Sequence, residues 1–232
     1  MTNQTLKAAP WWQVDIRKIG EESSPLVVID NFFPTPEVLT QDASHKTFTA
    51  NAPYFPGVRA AVPSAYFKPL VNGLSHILAN TFGYGAGVNL QECHYSIVTT
   101  PGKDLNMMQR LPHIDGDDDR KVALLHYLCD KDHGGTAFYK QCRTGYETVS
   151  NARYPAYKQA VEVDHKNLGP PEATYFSNSD ARFEQIAKID AKFNRAVLYF
   201  GVNLHSILVG SKPLASEPQN GRLTINSFLS PL

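Results

Sequence analysis

The sequence predicts an α+β protein whose strands build a sandwich or barrel, and three observations predict it. Helical patterns occupy the first third of the chain, before Gly83. From Val88 onward, short segments rich in β-branched and aromatic residues alternate with Gly and Pro. The length of 232 residues, with 42% hydrophobic and 19% charged residues, suits one domain with a sizeable core, here taken as 1–232.

In chain order, residues 1–24 form a polar arm whose Trp11-Trp12 pair is expected to pack on the core. Pro25 to Asp30 reads as a short buried strand, closed by Asn31 and Pro34. Pro36-Glu37 opens a helix expected to run to about Phe48, with Thr35 as its N-cap. The prolines and Gly57 between Asn51 and Pro63 indicate a loop. A second helix is expected from about Phe67 to Phe82, ended by Gly83. Val88 to Thr99 has the mixed pattern of a half-buried strand, whereas Val122 to Leu128 is almost wholly apolar, as a strand covered on both faces is. Thr136 to Tyr139, Ala196 to Phe200, Ser206 to Val209 and Arg222 to Leu229 are further strands. The stretch from about 143 to 192 is expected to be a helical insertion, with helices over Tyr154 to Glu162 and Ser179 to Ile189.

Composition narrows the function. Lys plus Arg equals Asp plus Glu at 22 each, so no net field attracts nucleic acid or an anionic membrane. The absence of a signal-type or membrane-spanning apolar run leads to the expectation of a cytoplasmic protein. Cys93, Cys129 and Cys142 lack C-x-x-C spacing and read as reduced thiols. There is no G-x-S-x-G elbow or Walker loop.

The strongest local motif is Pro112-His113-Ile114-Asp115-Gly116. In an extended segment, residues i and i+2 share a face, so His113 and Asp115 present an imidazole and a carboxylate to one point. Alone, such a pair is ordinarily a surface histidine beside a solvated aspartate. His205, arriving at the start of a late strand, supplies a third candidate ligand. Two histidines and one carboxylate on one face leave positions open on an octahedral metal, the arrangement suited to Fe(II). A closed zinc site would want four ligands, usually including Cys. Further on, Arg222 and Thr224 share a strand face. A guanidinium forks onto a carboxylate and a neighbouring hydroxyl adds a bond, which suits the distal carboxylate of a dicarboxylic 2-oxo acid; on its own, Arg222 would ordinarily be a surface salt bridge.

The order of these features resembles the Fe(II)/2-oxoglutarate-dependent dioxygenases, particularly the prolyl-4-hydroxylase-like branch, and looks like a bacterial group there whose substrate is unassigned. The resemblance runs through Tyr95, His113-Ile114-Asp115, Val122 to Leu128, Gly134-Gly135-Thr136-Ala137-Phe138, His205 and Gly221-Arg222-Leu223-Thr224. It implies a double-stranded β-helix (jelly-roll, cupin-like) core with N-terminal helices on one sheet. It also implies that His113, Asp115 and His205 ligate Fe(II), that Arg222 and Thr224 hold the distal carboxylate of 2-oxoglutarate, and that Tyr95 contacts the same co-substrate. The implied chemistry spends O2 and 2-oxoglutarate to hydroxylate a small molecule, amino acid or peptide side chain. Asp115 stands where the related halogenases have Gly or Ala, which favours hydroxylation. The spacing from His113 to His205 (205 − 113 = 92) exceeds that of compact members, the excess being the stretch from about 143 to 192. Two other readings stay open: a metal-dependent isomerase or hydrolase on a cupin-like barrel, and a non-catalytic binding protein on the same fold.

Several residues have bland and functional readings. Asp117-Asp118-Asp119 is a solvated acidic turn that could receive a cationic substrate group. His126, inside an apolar strand, is ordinarily a hydrogen-bonded core residue. Arg59 either anchors its loop by a salt bridge or reaches a substrate carboxylate.

Overall fold

A computed structural model describes residues 9–50 and 54–232. Residues 1–8 of the expected arm and the start of the loop at 51–53 lie outside that description. Ten strands and three α-helices follow one another as β1 (Gln13–Ile19), β2 (Ser24–Asp30), α1 (Glu37–Ser44), β3 (Gly57–Ala61), α2 (Val71–Phe82), β4 (Val88–Val98), β5 (Val122–Tyr127), β6 (Gly134–Gln141), α3 (Tyr154–Leu168), β7 (Phe183–Asp190), β8 (Arg195–Phe200), β9 (His205–Val209) and β10 (Arg222–Pro231).

The strands form two antiparallel sheets. The larger has the order β1-β2-β8-β5-β10-β4-β3 and the smaller β7-β6-β9. The arrangement is a double-stranded β-helix of α+β class, as expected. Strand alternation sorts the large sheet's side chains onto two faces. Val27, Ile29, Leu124, Leu198, Leu223 and Ile225 point outward, where α1 adds Leu39 and Ala43 and α2 adds Leu74, Ile77, Leu78 and Phe82. Leu26, Val28, Leu125, Tyr127, Val197 and Tyr199 point inward, toward Phe138 and Ile189 of the small sheet. The site lies in that inner layer. On the far side of the small sheet, Tyr157 of α3 packs with Ala137, Tyr139 and Leu208.

Several expected elements take a different form. Residues 13–19 of the arm are strand β1, paired with β2 throughout. Only one of its indoles is buried: Trp12 donates to Phe32 O at 2.7 Å and stacks on the Phe32 ring, while Trp11 is exposed. Trp12 also lies on Gly73 of α2, where a Cβ would meet the indole at 2.6 Å, so a larger residue there would displace the ring. The first helix stops at Ser44 instead of Phe48, and its N-cap is Pro36, without a side-chain bond from Thr35. Part of the expected loop pairs with β4 as strand β3. The expected helix over Ser179 to Ile189 is instead strand β7 at the edge of the small sheet. Helix α2 does end at Gly83, which takes the left-handed conformation (φ 78°). Among the described residues no helix is long and apolar enough to cross a membrane. All three cysteines are free thiols.

His126 is a core residue facing the helices. Its Nε2–H donates to Asn194 Oδ1 (3.1 Å), its Nδ1 accepts from Tyr66 Oη (3.0 Å), and Phe32 packs edge-on against its ring. Burial pushes its pKa down to about 3, against the opposing effect of the hydrogen bond donated to Asn194. The unfolded chain takes up this proton near pH 6.5 and the folded chain refuses it until about pH 3, so stability is full above pH 6.5 and falls as acid is added through that window. The loss attributable to this one proton approaches roughly 5 kcal/mol at the acid end. Urea unfolding at several pH values is expected to show a pH slope for the parent that is one proton steeper between pH 6 and 4 than for His126→Gln. Coincident slopes would mean that the ring is not held neutral.

Candidate metal centre

His113 and Asp115 lie between β4 and β5 in an extended segment stitched to the chain's later half. His113 N donates to His205 O (2.8 Å) and His205 N to His113 O (2.9 Å), while Asp115 N donates to Gly201 O (2.8 Å). This pairing adds a fourth row beside β9, so His113 and His205 are cross-strand neighbours whose side chains share a face. His205 opposes the inward-pointing Phe138, which puts both imidazoles in the inner layer. The i, i+2 rule then brings Asp115 to the same point. One ligand atom from each of the three residues lies within 4.8 Å of the others. The structure thus brings together the three residues that the sequence singled out.

Details of the trio suit a divalent cation. His205 Nδ1 sits 2.8 Å from Asn203 O, which can only accept, so Nδ1 carries the proton and Nε2 keeps its lone pair. That Nε2 lies 3.4 Å from Asp115 Oδ2. The two imidazole rings are 4.4 Å apart, and Tyr199 packs edge-on against His205 at 4.9 Å. Burial lowers both histidines to about pKa 4, with the proximity of His205 a further cause for His113. Both imidazoles are therefore neutral at pH 7, the form that binds metal. Burial raises Asp115, and the charges of His113, Lys121 and Arg59 oppose that rise. Two neutral nitrogens and one carboxylate, with no fourth protein ligand in the group, fit a metal that keeps open positions.

Along β10, Arg222 and Thr224 point inward. Arg222 is 3% exposed, donates from Nη2 to Gly135 O (2.7 Å) and lies over the Tyr127 ring at 5.6 Å. Its Nε is buried with no partner, and among the described residues no carboxylate pairs with it. A buried guanidinium without a counter-ion is costly, and an anion bound at this position would offset that cost. Thr224 lies directly opposite Tyr127 and donates to Asn226 Oδ1 at 2.7 Å. Val98, Leu105 and Tyr175, with Ile207 and Val209, form the apolar cluster at this end of the inner layer.

Tyr95 is not part of this pocket. It pairs with Ile225, so it shares the outward face with Ile97 and Leu223 and packs in the helix-side core. The expected co-substrate contact fails on parity: Thr224 opposes Ser96, and the neighbouring Tyr95 must point the other way. The inward tyrosines are Tyr127, whose hydroxyl pairs with Thr136 Oγ1 at 2.6 Å, and Tyr199 beside His205. Neither stood out in the sequence, although both fall on the alternate positions of their strands that face inward. Within the stretch beyond β6, Tyr157 donates to Pro112 O (3.3 Å) and braces the segment that carries His113.

Comparison with known proteins adds a family and a fold. Residues 10–229 match DUF6445, a family of unknown function. The chain belongs to that family. No curated protein matches this DUF6445 chain. Among solved structures, the non-heme alpha ketoglutarate dependent epimerase SnoN from nogalamycin biosynthesis superposes with a TM-score of 0.53 at 12% identity, over 89% of this chain and 78% of that one. Iron-bound HygX from Streptomyces hygroscopicus gives 0.46 at 13% identity, over 90% of this chain and 83% of that one. A prolyl hydroxylase from Trichoplax adhaerens, in complex with a hypoxia inducible factor peptide, gives 0.42 at 15%, over 88% and 82%. The likeness to SnoN shows that the DUF6445 chain shares the double-stranded β-helix.

Proposed function

We propose that this chain is a single-domain, cytoplasmic non-haem iron oxygenase that couples oxidative decarboxylation of 2-oxoglutarate to hydroxylation of a small molecule, amino acid or peptide side chain. His113, Asp115 and His205 hold Fe(II), and Arg222 with Thr224 holds the distal carboxylate of 2-oxoglutarate. The order of its motifs sets it nearest the prolyl-4-hydroxylase-like branch, in a bacterial group. The observation that carries this reading is the pairing of two features in one inner layer: three convergent ligand atoms and a buried guanidinium lacking an anion.

Iron bound there supplies the activation of O2 that 2-oxoglutarate breakdown to succinate and CO2 drives. The protein's part is placement. Asn203 O fixes the tautomer of His205, and the His113–His205 backbone pairing fixes the spacing of the rings. Arg222 and Thr224 orient the dicarboxylate, with Tyr127 beneath the guanidinium. Tyr199 and Phe138 wall the histidines with aromatic surface, which keeps water from competing for the site.

Anaerobic addition of Fe(II) and then 2-oxoglutarate is expected to give a weak visible charge-transfer band that neither component gives alone. Air should then yield succinate. A metal-dependent isomerase or hydrolase would bind the metal without that band, and a non-catalytic binding protein would form no succinate.

A further inference from the structure

Arg59 is a second inward-facing arginine that the proposed chemistry leaves unused. On β3 it opposes Ser96; Ser96 opposes Thr224 on β10, and Thr224 opposes Tyr127 on β5. Directly opposed residues share a face, so the four form one row across the inner layer. The neighbours Val58 and Ala60 pack into the helix-side core, as the alternation requires. Tyr199, in the same inner layer as Tyr127, packs edge-on against His205, so the row that holds Arg59 shares its layer with the metal-ligand trio.

This guanidinium is poorly satisfied. Its side chain is 17% exposed, and among the described residues its Nε is buried without a hydrogen-bond partner. Phe55 lies against it at 4.8 Å. Among the described residues its one carboxylate contact is Nη1 to Glu92 Oε2 at 3.8 Å, too long for a hydrogen bond, and the Glu92 side chain is 51% exposed. A fork that has given up water without gaining a two-bonded partner is left open for a ligand carboxylate. Arg222 sits in the adjoining inward row, two strands away on β10, so the two guanidinia start from different positions in the layer.

We propose that Arg59 receives a carboxylate of the primary substrate, so that the substrate is a small organic acid, an amino acid included. Glu92 is the loose partner that the incoming carboxylate displaces. This inference rests on the oxygenase reading, because it takes the trio as the reaction centre.

The test uses the full chain loaded with Zn(II), which is redox-inert, and 2-oxoglutarate. Saturation-transfer NMR then compares L-leucine, L-phenylalanine and 3-phenylpropanoate with their carboxamides. The parent should bind acids in preference to amides. Arg59→Gln should weaken acid binding by at least about 10-fold, since a charge-assisted pair is lost. Arg59→Lys, which keeps the charge but not the fork, should fall between, and it carries the test if the glutamine variant does not fold. Glu92→Gln should leave acid binding equal or tighter.

The proposal is overturned if the parent shows no preference for acids, or if Arg59→Gln binds them as the parent does. It is also overturned if the Arg59 and Glu92 variants weaken binding alike, the mark of a merely structural ion pair. A loss of 2-oxoglutarate affinity in Arg59→Gln as large as the loss of acid affinity would assign the residue to the co-substrate instead. Failure of the parent to bind Zn(II) and 2-oxoglutarate is a separate result and removes the oxygenase reading itself.

Discussion

His205→Ala is expected to abolish stoichiometric metal binding and to cut succinate formation at least about 100-fold. Losing a residue that merely supports a metal ligand costs about 10–100-fold, so loss of the ligand itself sets that figure as a floor. The fold should survive. Alanine keeps the N–H and C=O that pair with His113, so the extra row beside β9 stays in register. The cost is the space left between the His113 and Tyr199 rings, a destabilisation of about 1–3 kcal/mol. Metal content after dialysis, succinate yield and circular dichroism check the three parts separately. A variant that decarboxylated 2-oxoglutarate at the parent rate would show the ligand assignment to be wrong.

Arg222→Met is expected to do something less usual: weaken 2-oxoglutarate by at least about 30-fold while leaving the ligand-free protein as stable as the parent or more so. Truncating one partner of a buried, hydrogen-bonded charge pair costs about 2–5 kcal/mol of binding, which sets the fold-change. In the ligand-free protein there is no such pair to break, because no carboxylate among the described residues meets this guanidinium and its Nε bonds to nothing. Methionine removes a buried charge and puts an apolar chain beside Tyr127, and such exchanges are often neutral or stabilising. The bond to Gly135 O is lost, about 1 kcal/mol against that gain. Calorimetric titration and thermal unfolding without ligand measure both. If the ligand-free variant lost about 3–5 kcal/mol, Arg222 would be a structural ion-pair member and not an anion receptor.

That His113 shares a face with Asp115, and Arg222 with Thr224, was legible because each rests on a rule of short range. His113 and Asp115 lie two apart in extended chain, as do Arg222 and Thr224. What failed depended on knowledge that the sequence does not carry. Tyr95 was placed by resemblance alone, and only the pairing of β4 with β10 reveals that it belongs to the outward face. Strand β7 looked helical because Phe183, Ile186 and Ile189 fall three apart. A bulge causes that spacing: Phe138 opposes Ala187 and Tyr139 opposes Gln185, so Ile186 is extra and the strand changes faces midway. Phe183 then packs toward α3 while Ile189 packs inward, and both are buried. Strand β1 was hidden by polarity, since most of its residues are exposed and its place is set by pairing with β2. Strand β3 was hidden by the prolines beside it.

The mutual backbone bonds of His113 and His205 make the centre's geometry a property of sheet pairing, not of the chain that joins the two halves. The connection from Gln141 to Phe183 leaves and re-enters the small sheet at one rung of the β6–β7 pairing, so its length is not tied to the spacing of the two imidazoles.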